Sequence, residues 1–201
     1  MLLVRCLRLV RVGACGNGTN NLTVSSGNLA SAGSIGNGMG NKVPLANNGQ
    51  DVYRTFTSTT APVYSSLVVN VSAANVAGDY FYTMGTSGDP GAINVGGRLY
   101  IRSNGSGFSF GVLRGTEALL CMKYNKTLQY QYDGGFKIRG CSRSYERCYK
   151  LYVNPSLSSE PAVADVQYSA AIGTDVGALS GIALLQGTVA NAPILKWMGS
   201  M

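Results

Sequence analysis

The chain has 201 residues, of which 45% are hydrophobic, and it contains no histidine and only nine carboxylates. Without histidine it cannot build a Ser-His-Asp or Cys-His catalytic arrangement, or a metal site with imidazole ligands. The length suits one all-β domain, and the hydrophobic content is sufficient for a buried core. The 27 glycines follow no collagen-like period, so they are typical of a folded chain with many turns.

Strand candidates are short runs in which β-branched or aromatic residues alternate with polar ones between Gly, Asn and Ser turns. Along the chain the pattern predicts strands at Asn21–Ser25, Asp51–Thr57, Val63–Val71, Asp79–Met84, Gly97–Ser103, Gly107–Leu113, Tyr149–Asn154, Val163–Ala170 and Leu179–Gln186. A glycine-rich loop is predicted at 27–41, and an Asn104-Gly105 hairpin turn at the middle of the chain. This series of short strands, with no convincing amphipathic helix, predicts a single antiparallel β-sandwich of the jelly-roll type.

Aromatic and aliphatic residues within the predicted strands supply the candidate core. The first choices for buried positions are Val68, Phe81, Leu99, Ile101, Phe108, Phe110 and Ile182. In Tyr80-Phe81-Tyr82, strict alternation places Phe81 on one side of the strand and both tyrosines on the other. One side faces the core, and the other either packs across strands or offers a flat surface for stacking a sugar ring; packing is the simpler interpretation.

The formal net charge of +7 belongs to two short segments rather than to the whole chain. Ten of the 16 basic residues lie there: Arg5, Arg8, Arg11, Lys123, Lys126, Lys137, Arg139, Arg143, Arg147 and Lys150. The rest of the chain is close to neutral. A nucleic-acid-binding domain spreads Lys and Arg over one face and adds stacking aromatics, so this distribution predicts no nucleic-acid partner.

The five cysteines fall in the same two segments: Cys6, Cys15, Cys121, Cys141 and Cys148. An odd number excludes a closed disulfide framework, and the spacing matches no familiar zinc site, so incidental thiols are the expectation. Arg5, Arg8 and Arg11 interrupt every apolar run of the N-terminus, which argues against a working signal peptide despite the lipoprotein-like end Val12–Cys15. No run reaches the length of a membrane span.

The carboxylates do not show the spacing of a glycosidase pair. Two acids on one strand face could approach to the roughly 5 Å of a retaining pair, but the nearest acids in sequence are Glu160 and Asp165. A long-range pair such as Asp79 with Asp175 stays open. Asp89 and Asp79 are candidate calcium ligands, and turn capping explains both equally well. We therefore predict no catalytic residue, assign no metal site and identify no ligand-binding residue from the sequence.

Several ordered motifs carry a resemblance to a known family. They are D-V-x-R-x-F at Asp51–Phe56, G-D-Y-F at Gly78–Phe81, G-R-x-x-I-R-S at Gly97–Ser103, L-x-V-N-P at Leu151–Pro155 and I-x-x-I-A-L-x-Q-G at Leu179–Gly187. Over about 16–120 and 149–193 the chain resembles the concanavalin A-like, laminin-G-like β-sandwich modules of secreted and surface proteins of Bacteroidetes-type bacteria. The resemblance implies a jelly-roll fold, an extracellular location and an accessory role such as glycan binding or adhesion, without an assigned catalytic site. The alternative is a fragment of a polysaccharide-degrading enzyme of the same sandwich class.

Three segments depart from that family: 1–15, 117–148 and 193–201. Codons for Lys196–Ser200, read two bases on, permit the Val-Asp-Gly-Ile that closes the family's sandwich. Codons for Ser142–Cys148, read one base on, permit Pro-Gly-Ala-Thr-Asn-Asp-Val, the loop that the family places before its L-x-V-N-P segment. The hypothesis is that these segments are frameshift products. We accordingly divide the chain into an atypical segment at 1–15 and one β-sandwich domain at 16–201. Because a shifted frame destroys the alternation that a sandwich needs, the three segments are predicted to pack poorly and the closing strand to be lost.

Overall fold

The computed structural model describes residues 13–15, 20–27, 29, 41–46, 48–86, 95–105, 107–114, 126–129, 133–143, 146–153, 161–169, 178–186 and 194–200. These residues form thirteen strands: β1 (Gly13–Cys15), β2 (Val43–Leu45), β3 (Asp51–Thr59), β4 (Val63–Ala73), β5 (Asp79–Gly85), β6 (Val95–Ser103), β7 (Gly107–Arg114), β8 (Lys126–Gln129), β9 (Asp133–Arg143), β10 (Glu146–Val153), β11 (Val166–Ser169), β12 (Leu179–Leu184) and β13 (Ile194–Ser200). No α-helix occurs among them. The all-β class predicted from the alternation is confirmed.

The strands form two antiparallel sheets. A seven-stranded sheet has the order β1-β3-β12-β5-β6-β7-β8, and a six-stranded sheet has the order β11-β10-β9-β4-β13-β2. Strands β5, β6 and β7 follow one another as hairpins, and Gly105 takes a φ of 92° in the tight turn between the last two. The Asn-Gly turn signal predicted this hairpin, because glycine adopts positive φ without the steric cost of a side chain.

The core lies between the two sheets and draws buried residues from both. Leu99, Ile101, Phe108 and Phe110 of the seven-stranded sheet belong to the same apolar cluster as Leu67, Val69, Tyr149 and Leu151 of the six-stranded sheet. Phe108 and Phe110 meet edge to face with ring centroids 5.4 Å apart, a geometry that aromatic quadrupoles favour. Strands β10 and β11 lie against β7 across the sandwich.

All seven predicted core residues are buried. Six of them face the space between the sheets or adjoin it, but Val68 lies on the outer side of β4, since its neighbours Leu67 and Val69 occupy the core. Val68 forms a separate small cluster with Leu29. A residue of the long N-terminal stretch therefore covers the back of the six-stranded sheet.

The prediction that the closing strand is lost is wrong. Strand β13 pairs with β4 from Ile194 to Ser200 and with β2 on its other side, and β9 pairs with both β4 and β10. Backbone ladders need only extended conformation, and the sequence of β9 alternates Phe136 and Ile138 with Lys137 and Arg139, as a strand does. The side chains of residues 117–148 and 195–201 lie outside the described part of the structure, and so do residues 1–12 as a whole.

The strand predicted at Asn21–Ser25 is also wrong. Only Ser25 pairs there, in an isolated bridge with Lys42. The segment instead runs beside residues 42–50 and is held by side chains, with the Asn20 amide donating to the Asn48 side chain at 2.6 Å. Across the residues that the structure describes, no helix has the length and hydropathy needed to cross a membrane.

Candidate functional site

Tyr80, Arg98 and Tyr100 form a group on the outer face of the seven-stranded sheet, the face turned away from the core. Leu99 and Ile101 of β6 are core residues, so Arg98 and Tyr100 project to the opposite side of the same strand. Tyr80 of β5 is the register partner of Tyr100 and shares its face. We call these three residues the outer-face cluster.

The outer-face cluster is held together by its rings and by the guanidinium group. The rings of Tyr80 and Tyr100 meet edge to face with centroids 5.6 Å apart. The guanidinium carbon of Arg98 lies 4.2 Å from the centroid of the Tyr80 ring. A cation over an aromatic face contributes about 0.5–1 kcal/mol at an exposed site and more when water is excluded. Tyr80 and Arg98 are half-buried while Tyr100 is 7% exposed, so Tyr80 is the ring that solvent reaches.

A β-bulge positions Tyr80 on that face. The register between β5 and β6 shifts between Tyr80 and Tyr82, which leaves Phe81 as the extra residue. Both Phe81 and Tyr82 are consequently buried in the core, at 1% exposure each. The prediction that Phe81 faces opposite to both tyrosines is wrong, because the bulge breaks strict alternation. The expectation that one side of this run packs in the core is met by Phe81 and Tyr82, and Tyr80 alone occupies the other side.

Burial and the neighbouring charges of Arg98 and Asp79 shift the pKa of Tyr100 in the outer-face cluster. Burial raises the pKa of Tyr100, and the hydrogen bond and charge of Arg98 oppose that rise, while the nearby Asp79 adds to it. The Nε atom of Arg98 is buried without a hydrogen-bond partner. An unpaired buried donor costs about 1–3 kcal/mol, which the contact of Arg98 with the Tyr80 ring and its hydrogen bond to Tyr100 have to offset.

Polar residues border the outer-face cluster along β6 and β7. Arg102 is exposed and lies two positions beyond Tyr100 on the same side of β6. Its register partner Ser109 accepts a hydrogen bond from the Asn104 amide at 2.8 Å. The face thus combines a solvent-accessible aromatic ring, guanidinium groups and neutral hydrogen-bonding groups. Sequence reasoning missed this combination, although the alternation in Gly97–Ser103 places Arg98, Tyr100 and Arg102 on one side of the strand.

Tyr82 shows how closely the core is packed behind this face. Burial raises the pKa of Tyr82 well above its ordinary value, with a smaller opposing effect of the Ser65 side chain. Its hydroxyl nevertheless lacks a hydrogen bond of normal geometry. The ring belongs to the core cluster rather than to an accessible surface, so it is not part of the candidate site.

The candidate calcium ligands do not form a ligand set in the described residues. The Oδ1 atom of Asp79 accepts a hydrogen bond from the backbone N–H of Tyr80 at 2.8 Å, the turn-capping role considered from the sequence. Asp89 lies outside the described residues. Where the structure can be examined, it contains no group of three or more His, Cys, Asp or Glu side chains placed to hold a metal ion.

Two further described carboxylates also accept backbone N–H groups. Asp165 accepts from Val153 at 2.8 Å, and Asp51 accepts from Gln186 at 2.8 Å. These contacts fix the end of β10 and the end of β12. Asp175, the long-range partner considered for Asp79, lies outside the described residues, and so does Glu160.

A second polar cluster surrounds Gln186, which is 5% exposed. Its Oε1 accepts from the backbone N–H of Ala46 at 2.6 Å, and its Nε2 donates to the carbonyls of Asn20 and Gln50 at 3.0 and 2.8 Å. All three contacts join residues more than 130 positions apart. Because these polar groups satisfy one another internally, we interpret this cluster as structural rather than ligand-binding.

Burial gives Asp51 in this cluster a pH-dependent effect on stability. Desolvation raises its pKa, and the hydrogen bond from Gln186 opposes the rise. A folded state that holds the proton more tightly gains stability at low pH and loses it as pH rises through the raised pKa. We expect Asp51→Asn to raise the denaturation midpoint at pH 7, with a gain that disappears at about pH 3, below the ordinary aspartate pKa of about 3.9. Denaturant titrations at both pH values measure this, and an Asp51→Asn variant less stable than the wild type at pH 7 would contradict it.

Comparison with known proteins supports the fold and assigns no family. No family model and no curated protein matches the chain. Among solved structures, part of a sialidase is similar at a TM-score of 0.52 and 8% identity, over 93% of this chain and 16% of that chain. The CBM2 module of the evolved Dit of Lactobacillus casei BL23 phage J-1 gives 0.46 and 16%, over 95% of this chain and 96% of that chain. The basic winged bean lectin with Tn-antigen gives 0.39 and 10%, over 94% and 96% of the two chains.

This chain spans about 16% of the length of the sialidase it resembles. That likeness concerns the fold alone. Together with the two antiparallel sheets and the shared core, it confirms the predicted antiparallel β-sandwich.

Proposed function

We propose that this chain is a non-catalytic glycan-binding module of a secreted or surface-attached bacterial protein, and that the outer-face cluster is its binding surface. The observation that carries the proposal is the placement of Tyr80. Its ring is solvent-accessible on a sheet face and is held from two sides by Tyr100 and Arg98. The extracellular, bacterial setting rests on the family resemblance of the strand motifs.

The chemistry of the face suits a sugar. An aromatic ring that is already fixed stacks on the C–H face of a pyranose with little loss of side-chain freedom, and neighbouring polar groups hydrogen-bond the hydroxyls. Around Tyr80 these groups are the Arg98 guanidinium and, farther along the strands, Arg102 and Asn104. Binding sites commonly combine an apolar platform with a few placed polar groups in this way.

The non-catalytic part of the proposal is supported by the roles of the described carboxylates. Asp51, Asp79 and Asp165 each accept a backbone N–H, and none belongs to the outer-face cluster. The second candidate, a fragment of a polysaccharide-degrading enzyme, is favoured by one observation, the fold similarity to part of a sialidase. It requires two of the nine acids to act as a pair across the substrate bond.

Substitution of Tyr80 tests the binding surface. We expect Tyr80→Ala to reduce retention on a glycan array or an insoluble polysaccharide by about fivefold to thirtyfold, because stacking of one ring is worth on the order of 1–2 kcal/mol. Tyr64→Ala is the matched control, since Tyr64 is also half-buried but lies on β4 of the other sheet. The denaturation midpoints of both variants are measured beside the wild type to exclude unfolding.

Equal loss of binding in the Tyr80 and Tyr64 variants, with both folded, would contradict the assignment of the outer-face cluster. Binding to no glycan at all by the folded wild type would contradict the function. Release of reducing sugar from any glycan that the protein retains would replace the non-catalytic proposal with the enzymatic one.

A further inference from the structure

Two of the five cysteines occupy directly opposite positions in the six-stranded sheet. Cys141 of β9 is the register partner of Cys148 of β10, within a ladder that runs without a shift from Glu146 to Val153. Directly opposite Cα atoms of an antiparallel pair are about 4.5 or 5.5 Å apart, according to whether the two residues exchange backbone hydrogen bonds. Both distances fall within the span of about 4.4–6.8 Å between the Cα atoms of a disulfide. The backbone of this sheet therefore meets the geometric requirement of a disulfide.

Two independent ladders place both positions on the outer face of the six-stranded sheet. Tyr149 of β10 belongs to the core, so alternation puts position 148 on the side away from the core. Position 141 is placed by β4: Val63 packs against the core and pairs with Gly140, so the next position of β9 also falls on the outer side. The register pair therefore shares a face, as a bond between two side chains requires.

Basic residues occupy register positions on both sides of the cysteine pair. On one side, the next pair on the same face is Arg139 with Lys150. On the other side it is Arg143 with Glu146. Cationic neighbours favour the thiolate of cysteine, which is the form that attacks a disulfide. Three cations and one acid at these four positions thus favour bond formation by thiol–disulfide exchange.

We propose that Cys141 and Cys148 are a disulfide site that ties β9 to β10, with a small-molecule disulfide such as glutathione disulfide as the oxidant. One cysteine thiolate attacks glutathione disulfide, and one glutathione leaves as its thiolate. The other cysteine then attacks the mixed disulfide and releases the second glutathione. Two protein thiols and one glutathione disulfide become one protein disulfide and two glutathione thiols, so the protein loses the two electrons that glutathione gains.

The register gives these cysteines a different interpretation from their spacing. By spacing alone incidental thiols are expected, because six intervening residues match no familiar motif. An odd number of cysteines leaves at least one outside any internal pair, and Cys15 suits that role because its register partner is Asp51. The disulfide site is independent of the proposed function, since the outer-face cluster lies on the seven-stranded sheet.

Tryptic mapping tests the bond directly. Trypsin cuts after lysine and arginine, so Cys141 enters peptide 140–143 and Cys148 enters peptide 148–150. The reduced, folded chain is incubated with equal concentrations of reduced and oxidised glutathione, its remaining thiols are alkylated, and the digest is analysed by mass spectrometry. We expect the two peptides to be joined in the majority of molecules and to separate on reduction. Alkylation of both cysteines in most molecules, or joining of either to the peptide of another cysteine, would overturn the proposal.

A one-residue shift of the cysteine separates register from closeness in sequence. In the double variant Arg147→Cys and Cys148→Ser, the introduced cysteine is opposite Ser142 and on the other face of the sheet. We expect it to lose most of the bond to Cys141. Unfolding the wild type in urea, in the same glutathione buffer, should also lower the joined fraction, and this comparison needs no variant. A joined fraction as high in the folded double variant, or in the unfolded wild type, as in the folded wild type would overturn the role of the sheet.

The bond should also raise the thermal stability of the protein. Linking positions 141 and 148 restricts the unfolded chain, so we expect the oxidised wild type to melt roughly 5–10 °C above the reduced wild type. Cys141→Ala should remove this dependence on redox state, and Cys15→Ala in β1 is the matched control that should keep it. An equal melting midpoint for the oxidised and the reduced wild type would show that the native sheet does not accept the bond.

Discussion

Replacement of Gly97 by alanine is expected to lower the free energy of unfolding by about 2–3 kcal/mol, the upper range for overpacking of a core. A Cβ atom at Gly97 would lie 2.4–2.6 Å from three ring carbons of Tyr149. Real Cβ contacts are not that short, so the ring or a strand has to move. Tyr149 is 2% exposed and enclosed between the sheets, which leaves its ring little room. Chemical denaturation followed by tryptophan fluorescence or circular dichroism measures the loss.

The close approach of Gly97 and Tyr149 predicts a coupled effect. Tyr149→Leu removes the ring that the new Cβ would meet, so the Gly97→Ala and Tyr149→Leu double variant should be less destabilised than the sum of the single variants. Gly105→Ala is the control, since nothing lies within 4 Å of its Cβ position and its cost comes only from a φ of 92°. Tyr149→Leu should leave that cost unchanged. Additive effects of Gly97→Ala and Tyr149→Leu would show that the contact does not limit the packing.

The strands that the sequence predicts correctly share clean alternation between turn residues. Four predicted strands each lie within an observed strand: Asp51–Thr57, Val63–Val71, Gly97–Ser103 and Gly107–Leu113. Local patterning suffices there, because each strand buries one face against a single core. The Asn104-Gly105 turn fixes one hairpin by its own conformational preference.

The strands that the sequence missed show where the argument from composition failed. The basic residues and cysteines of 117–148 suggested a segment that does not belong to the sandwich. Strand β9 nevertheless lies between β4 and β10 in the six-stranded sheet, and its register pairs Cys141 with Cys148. A central strand is determined by its neighbours at long range, which a local pattern does not reveal. The same holds for β13, whose partners β4 and β2 begin more than 120 residues earlier.

The candidate site was only partly predictable, for two physical reasons. Alternation along Gly97–Ser103 could have placed Arg98 and Tyr100 together, because both follow from period two within one strand. The position of Tyr80 depends on the bulge at Phe81, and a bulge is set by pairing with β6 rather than by the residues of β5 alone. The frameshift hypothesis, the bacterial source and the extracellular location stay predictions.

The amide of Gln186 is the second point at which one substitution should have a large effect. Its side chain is 5% exposed and pairs with the Ala46 N–H and with the carbonyls of Asn20 and Gln50. We expect Gln186→Leu to lower the free energy of unfolding by about 1–3 kcal/mol, because it leaves the part-buried Ala46 N–H and two carbonyls without their partner while keeping a similar volume. Gln167→Leu, at an exposed position of β11, is the control and should stay within about 0.5 kcal/mol of the wild type.

Hydrogen exchange locates the effect of the Gln186 substitution. These contacts join the segment that begins at Asn20 and the residues before β3 to the end of β12, while the ladder of β6 and β7 does not involve them. The Ala46 amide should therefore exchange faster in Gln186→Leu than in the wild type, with Ile101 and Phe110 protected until global unfolding. A Gln186→Leu protein as stable as the wild type, with the Ala46 amide still protected, would show that solvent replaces these hydrogen bonds without cost. The Asn20–Ser25 segment would then be held mainly by other contacts, such as the pairing of Ser25 with Lys42.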